Sequence, residues 1–198
     1  MKLTLKRLFD IVFSGLFLFL FSWLLFIAWF LAVIDTRTNG IFTQDRIGQF
    51  GKLFRIYKLR TMQINQNSED FRISKLGRIL RTYKLDELPQ LINVLKGDMS
   101  IVGPRPDISG YYDLLEGEER KILELKPGLT SLASLKYFDE DELLKQQDFP
   151  LEYNDTVLFP DKVKLNLCYY YHHSIFGDLK IIFHTGRMML WRKNLQRR

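Results

Sequence analysis

The chain has 198 residues, a formal net charge of +6 and 46% hydrophobic residues. This length suits one compact domain with an appendage. The positive charge fits nucleic acid, anionic lipid headgroups or phosphorylated substrates as partners. The single cysteine, Cys168, excludes an internal disulfide framework. We expect it to be a small, partly buried side chain without a catalytic role.

An apolar segment near the N-terminus predicts a membrane helix. No charged residue occurs from Ile11 to Ile34, and about 20 apolar residues suffice to span a bilayer. Basic residues flank the segment on both sides: Lys2, Lys6 and Arg7 before it, Arg37 and Arg46 after it. Since basic flanks mark the cytoplasmic side, a re-entrant helix would keep both flanks inside, whereas a spanning helix would not. We favour the re-entrant helix for residues 1–35, with Ser22 available to bond a carbonyl that a bend frees.

The next segments predict a small β-hairpin and a short helix. Ile41–Ile47 and Leu53–Leu59 have strand composition, and a glycine-containing turn separates them. Residues 63–70 are polar and predict a mobile loop. Residues 74–83 alternate leucine or isoleucine with lysine and arginine at helical spacing, which predicts a helix with one cationic face.

The remaining chain is predicted to be mostly helical. Helices are expected at 113–125, 139–147 and 178–193, with 151–161 irregular and 163–171 either helical or extended. The last helix mixes basic and apolar residues, so it is either an interfacial membrane helix or a core helix with a basic tail. The fold class is therefore α+β, mainly helical, with a membrane helix, a β-hairpin and interfacial amphipathic helices.

Two adjacent carboxylates, Asp86 and Glu87, lie at the predicted start of another helix. Asp86 is expected at the N-cap, with Pro89 in the first turn and Gly97 at the helix end. Capping backbone N–H groups is the ordinary role of such acids. The alternative is chemistry, because a carboxylate can hold Mg²⁺ against a diphosphate or attack phosphorus to form an aspartyl phosphate.

Cationic residues around this pair are candidates for binding phosphate: Lys58, Arg60, Arg78 and Arg81. Each could instead belong to a solvated basic face or contact anionic lipid. The sequence Gly103-Pro104-Arg105-Pro106 fixes the backbone around one arginine, either as a rigid turn or to present Arg105 accurately. A non-catalytic membrane-anchored binding protein and a nucleic-acid binder are the rival hypotheses, but the second leaves the apolar segment unexplained.

Six ordered blocks then carry a resemblance to a known family. They are Lys6-Arg7-Leu8-Phe9-Asp10, Phe54 to Met62, Leu85 to Leu91, Asn93 to Ser100, Val102 to Pro106 and Lys126 to Thr130. Over nearly the whole chain these blocks resemble the monotopic phosphoglycosyl transferases, which are bacterial sugar transferases, in their small form. Two positions differ from the common pattern. Ser22-Trp23 stands where Ser-Pro is usual, and Ser131 to Leu135 replaces a Gly-Trp-Ala-Gln-type run.

The resemblance implies transfer of a sugar 1-phosphate from a UDP-sugar to polyprenyl (undecaprenyl) phosphate, with release of UMP. This would begin capsule, exopolysaccharide or glycoconjugate synthesis at the cytoplasmic face of the bacterial inner membrane, with residues 36–198 as the catalytic domain. It implies that Asp86 is the nucleophile and contacts Mg²⁺, that Glu87 assists, and that Lys58 and Arg81 contact phosphates. Pro104 and Arg105 would help to bind the nucleotide. The UDP-sugar and the oligomeric state stay open.

Overall fold

The computed structural model describes residues 2–64 and 71–195. These residues form two compact units. The first comprises residues 1–46 and 54–101, and the second comprises residues 47–53 and 102–198. Most of the predicted mobile loop, residues 65–70, lies outside the described residues.

The first unit begins with a long apolar helix, α1 (Lys2–Thr36). Its segment Leu5–Thr36 is long and apolar enough to cross a membrane by length and composition. Large apolar side chains along it are exposed, including Phe19 and Trp23, which indicates a membrane protein because a soluble domain rarely exposes such a surface. The helix continues through Ser22, whose Oγ donates to the carbonyl of Phe19 at 3.0 Å. The re-entrant path itself stays a prediction.

Strands and short helices complete the first unit. They are β1 (Ile41–Ile47), β2 (Leu53–Leu59), β3 (Met62–Ile64), β4 (Phe71–Ile73), α2 (Lys75–Thr82), a 3₁₀ turn (Leu85–Glu87), α3 (Gln90–Lys96) and, at the boundary between the units, β5 (Ser100–Val102). The bounds predicted for the two hairpin strands are confirmed, and β1 pairs with β2. The antiparallel pair β3–β4, with Met62 opposite Ile73, was not predicted.

Both ends of α1 contact other elements of this first unit. Near the N-terminus, the Arg7 guanidinium donates to the carbonyls of Val94 and Leu95 at 2.5 and 2.7 Å, and so binds the C-terminal end of α3. The buried carboxylate of Asp10 accepts hydrogen bonds from the Ser100 hydroxyl and the Ile101 N–H. Near the other end, a hydrophobic cluster joins α1 to β2 and α2, and its buried members are Ala28, Ala32, Leu59 and Leu80.

The second unit is mainly helical. It contains 3₁₀ segments (Gln49–Gly51, Tyr112–Leu114 and Glu119–Glu124), β6 (Gly128–Thr130), α4 (Leu132–Lys136), α5 (Glu140–Lys145), α6 (Pro150–Tyr153), a π-helical segment (Asn154–Leu158), α7 (Phe159–His172) and α8 (Ile175–Leu195). Its core cluster is built from Ile47, Tyr112, Leu115, Ile122, Leu123 and Val163.

Two secondary-structure predictions for this unit were wrong. The continuous helix over 113–125 is replaced by two 3₁₀ segments, and Gly117 lies between them with a φ of 53° that interrupts a right-handed helix. The segment predicted as irregular, 151–161, is helical from Pro150 onward. In α8 the side chains of Phe176, Phe183 and Leu190 are exposed, which favours the interfacial alternative over a core helix.

A glycine fixes where α2 lies. Ser74 begins this helix as its N-cap, and its Oγ accepts the N–H of Gly77 at 2.8 Å. A Cβ placed on Gly77 would lie 2.2 Å from the carbonyl oxygen of Thr61. The backbone of α2 therefore passes directly over Thr61, and any larger residue at position 77 would push the two apart.

We expect Gly77→Ala to lower the free energy of unfolding by about 1–3 kcal/mol, the usual cost of overpacking. Gly186→Ala is the matched control, because Gly186 also lies within a helix but a Cβ there meets nothing within 4 Å. The control should unfold at or above the wild-type temperature. Thermal unfolding in detergent measures both variants, and equal effects would contradict the close approach.

Candidate active site

The two predicted carboxylates lie in a tight turn that follows α2. Lys84 adopts a left-handed conformation, with φ 53° and ψ 22°. Its N–H donates to the Arg81 carbonyl, and its own carbonyl accepts the N–H of Glu87. This conformation turns the chain away from the axis of α2 and into the 3₁₀ turn Leu85–Glu87.

The prediction that Asp86 is a helix N-cap was wrong. It lies inside the 3₁₀ turn, and α3 begins only at Gln90, after Pro89. Pro89 is the N-cap residue of α3 and makes no side-chain capping bond. The prediction that Gly97 ends the helix is confirmed, and its φ is 98°.

Asp86 carries a buried carboxylate that the fold leaves poorly satisfied. The residue is 7% exposed, and its Oδ1 has no hydrogen-bond partner among the described residues. The pKa of Asp86 is raised to about 6, because burial and, next, the charge of Glu87 raise it more than the charges of Lys58, Lys84 and Arg81 lower it. The side chain is therefore a buried carboxylate with one oxygen that the described residues leave without a hydrogen bond.

Glu87, also buried, is held by two lysines. The ammonium group of Lys58 in β2 lies 3.4 Å from Glu87 Oε1 and donates to it. The ammonium group of Lys84 lies 4.0 Å from the same oxygen. The hairpin and the turn after α2 thus each bring one cation to the carboxylate pair, which we call the dyad.

Arg81 is the third cation whose charge acts on Asp86. Its Nε donates to the hydroxyl of Thr61 at 2.8 Å, next to the backbone over which Gly77 passes. The structure therefore brings Lys58 and Arg81 to the dyad, together with Lys84, which the sequence did not single out.

The other two predicted phosphate ligands of the first unit have different contacts. Arg60 donates to the Ile41 carbonyl at 3.4 Å and lies over the ring of Phe42. Arg78 is exposed on α2. Their contacts with phosphate stay predictions.

Pro104 and Arg105 belong to the second unit, where two glycines hold the backbone around them. A Cβ on Gly128 would lie 2.1 Å from the nitrogen of Gly103, and the Gly128 N–H donates to the Pro104 carbonyl at 2.7 Å. Arg105 is exposed and borders a crevice of the same unit that Tyr112 also lines. This rigid turn can present a guanidinium group to an anion.

No group of three or more His, Cys, Asp or Glu side chains that could hold a metal ion occurs within the described ranges. The dyad nevertheless fits Mg²⁺, because this ion is commonly bound by one or two carboxylates together with substrate phosphates and water. The unpartnered Oδ1 of Asp86 is a suitable ligand atom. His172 and His173 each contact a backbone carbonyl of α7.

The raised pKa of Asp86 predicts that Asp86→Asn stabilises the fold near neutral pH. A pKa of about 6, against an ordinary value of 3.8, means that the folded state loses stability as pH rises from 4 to 6, because it then binds more protons than the unfolded state. The cost of the ionised carboxylate is on the order of 3 kcal/mol. In chelator, the unfolding temperature of the variant should exceed that of wild type above pH 6 and match it below pH 4.

Asp141→Asn is the control for this measurement, since Asp141 is exposed on α5. Its difference from wild type should be small at every pH. A stability difference for Asp86→Asn that is the same at pH 4 and pH 7 would contradict the raised pKa.

Comparison with known proteins identifies the family to which the chain belongs. The model of the bacterial sugar transferase family matches residues 1–192. The uncharacterized sugar transferase EpsL of Bacillus subtilis is 34% identical, over 98% of this chain and 91% of its own. A UDP-glucose:undecaprenyl-phosphate glucose-1-phosphate transferase of Caulobacter vibrioides is 33% identical, over 96% of this chain and 71% of its own. A Klebsiella pneumoniae protein of the same name is 36% identical, over 93% of this chain but 40% of its own. The chain therefore belongs to the bacterial sugar transferase family.

Proposed function

We propose that this protein is a phosphoglycosyl transferase that moves a sugar 1-phosphate from a UDP-sugar to polyprenyl (undecaprenyl) phosphate and releases UMP. The names of the Klebsiella and Caulobacter relatives support this substrate class. The observation that carries the proposal is the buried, unpartnered carboxylate oxygen of Asp86 beside cationic side chains. A site of this charge suits an anionic phosphate and offers it a nucleophile.

The reaction we propose has two steps. An oxygen of Asp86 attacks the sugar-bearing phosphorus of the donor, the bond from that phosphorus to the UMP oxygen breaks, and a phosphosugar ester of Asp86 forms. An oxygen of polyprenyl phosphate then attacks the same phosphorus, which frees the Asp86 carboxylate and yields a polyprenyl diphosphate sugar. Glu87 positions the acceptor phosphate or takes its proton. The covalent intermediate lets the soluble nucleotide leave before the lipid acceptor reacts.

Charge neutralisation is the task of the residues around the dyad. Lys58 and Arg81, whose charges act on Asp86, would offset the charge of the phosphoryl oxygens as the bonds change. Mg²⁺ held by Asp86 and the substrate phosphates would supply further positive charge and fix the diphosphate. Arg105, presented by the rigid turn of the second unit, would bind the nucleotide phosphate or base.

The contacts of α1 support a location at the cytoplasmic face of the bacterial inner membrane. Arg7 and Asp10 near one end and Ala28 and Ala32 near the other all contact soluble elements of the first unit. A helix that spans the bilayer could not bind the same soluble unit at both ends, so these contacts favour the re-entrant path. With basic flanks on both sides, that unit would lie in the cytoplasm, where UDP-sugars are made and the first membrane step of glycan synthesis occurs.

Activity tests this proposal directly. Purified protein in nanodiscs with undecaprenyl phosphate and Mg²⁺ should release UMP from at least one of UDP-glucose, UDP-galactose, UDP-N-acetylglucosamine and UDP-N-acetylgalactosamine. Chelator should stop the release, and added Mg²⁺ should restore it. Asp86→Asn should lower turnover by on the order of a thousandfold or more, while Asp141→Asn, which changes an exposed aspartate, should not.

Without the acceptor, the wild-type protein should gain the mass of one phosphosugar, and Asp86→Asn should not. A protein that releases no UMP from any of these donors, or an Asp86→Asn variant with full turnover, would contradict the proposal and favour a non-catalytic binding protein.

Cysteine labelling tests the re-entrant path. In a Cys168→Ser background, Leu5→Cys and Asn39→Cys place a thiol near each end of α1 at an exposed position. Both should react with a membrane-impermeant maleimide only after the inner membrane is opened. The expectation that Cys168 is partly buried was wrong, since it is exposed, and in the wild-type protein it reports the cytoplasmic side. Reaction of Leu5→Cys in intact spheroplasts would show that the helix spans the bilayer.

A further inference from the structure

Lys84, which lies beside Glu87 of the dyad, has a backbone conformation that lysine rarely adopts. Its φ of 53° and ψ of 22° are left-handed, a region that glycine and asparagine enter at less cost than lysine. Arg37, Phe50 and Lys84 are the non-glycine residues with a positive φ among those described. The turn alone would therefore be served as well by asparagine or glycine, and the lysine needs another explanation.

The side chain of Lys84 supplies that explanation. Its ammonium group lies 4.0 Å from Glu87 Oε1, the oxygen that Lys58 also approaches. The carbonyl of Lys84 accepts the N–H of Glu87 at 3.2 Å, so the backbone and the side chain of one residue both hold Glu87. Both groups are mostly shielded from solvent, with exposed fractions of 30% for the Lys84 side chain and 10% for that of Glu87.

Two lysines on one carboxylate oxygen differ from an ordinary surface ion pair. An exposed pair contributes little, because water competes for both charges. Here the carboxylate is buried next to a second carboxylate, so removing one cation leaves buried negative charge that is less well balanced. Without Lys84, Glu87 would be held by its other contacts, of which the hydrogen bond from Lys58 is one, and its carboxylate would lose the orientation that Lys84 gives it.

We propose that Lys84 is a positioning residue that holds the Glu87 carboxylate in its reactive orientation. This inference rests on the proposed sugar-phosphate transfer, in which Glu87 assists the acceptor step. It assigns to Lys84 an effect on the second step, attack by polyprenyl phosphate, rather than on formation of the phosphosugar ester of Asp86.

The test separates the charge of Lys84 from its backbone conformation. Lys84→Asn keeps a residue that tolerates the left-handed region and removes the charge, whereas Lys84→Arg keeps the charge. Lys75→Asn is the matched control, because it removes a lysine that is exposed on α2. Each full-length variant is assayed in nanodiscs with undecaprenyl phosphate, Mg²⁺ and the UDP-sugar that wild type turns over fastest, and rapid-quench mixing resolves the first UMP released per enzyme from steady turnover.

We expect Lys84→Asn to unfold at or above the wild-type temperature and to keep a first burst of one UMP per enzyme. Its steady turnover should fall about tenfold, less than for loss of a group that touches the transition state, and Lys84→Arg should recover most of that loss. Lys75→Asn should behave as wild type. The positioning role is overturned by steady turnover of Lys84→Asn within twofold of the control, by loss of its burst, or by failure of arginine to restore turnover. A wild-type protein without any UMP release would instead contradict the proposed function.

Discussion

The candidate site depends on the burial of two adjacent carboxylates, of which the protein provides one with cationic partners and leaves the other with an oxygen that accepts no hydrogen bond from the described residues. Glu87 receives the ammonium groups of Lys58 and Lys84, whereas Oδ1 of Asp86 receives no hydrogen bond from any residue that the structure describes. A buried charge without partners costs free energy unless another group satisfies it. A phosphorus atom or a divalent ion at Oδ1 would remove that cost, so the fold favours a ligand at this oxygen of Asp86.

The same unit links this dyad to the membrane helix. Arg7 binds the carbonyls at the end of α3, the helix that begins three residues after Glu87. The alanines of the buried cluster bring the other half of α1 against Leu80, with Leu85 packed on the same cluster. Because small side chains allow close helix contact, α1 lies directly beside the turn that carries Asp86. The position of the Asp86 carboxylate relative to α1 is therefore set by packing within one unit, which suits the proposed acceptor, whose phosphate stays at the bilayer surface.

Local sequence signals made the hairpin and α2 predictable and drew attention to the Asp86–Glu87 pair. Features that depend on backbone conformation or on tertiary packing could not be predicted. Glycines between two β-rich runs specified the hairpin, and the serine before a periodic segment specified the start of α2. The left-handed Lys84 has no sequence signature, because lysine is common in helices and rare in this conformation. The prediction of a helix over 113–125 was wrong for a related reason, because the apolar pattern does not reveal that Gly117 adopts a positive φ.

Two aspartates of this chain lie in short turns but differ in their hydrogen bonds and in their pKa. Asp113 accepts the Ser109 hydroxyl and the N–H groups of Gly110 and Tyr111, and its pKa is lowered, with the Ser109 hydrogen bond as the largest cause. That is how a carboxylate behaves when it holds a turn together. Asp86 lies in a turn of similar length, yet burial raises its pKa to about 6. Hydrogen bonds from a capped turn would have lowered the pKa of Asp86, as they lower that of Asp113. The turn instead gives Oδ1 no hydrogen-bond donor among the described residues, which supports the proposed role of Asp86 as nucleophile and Mg²⁺ ligand.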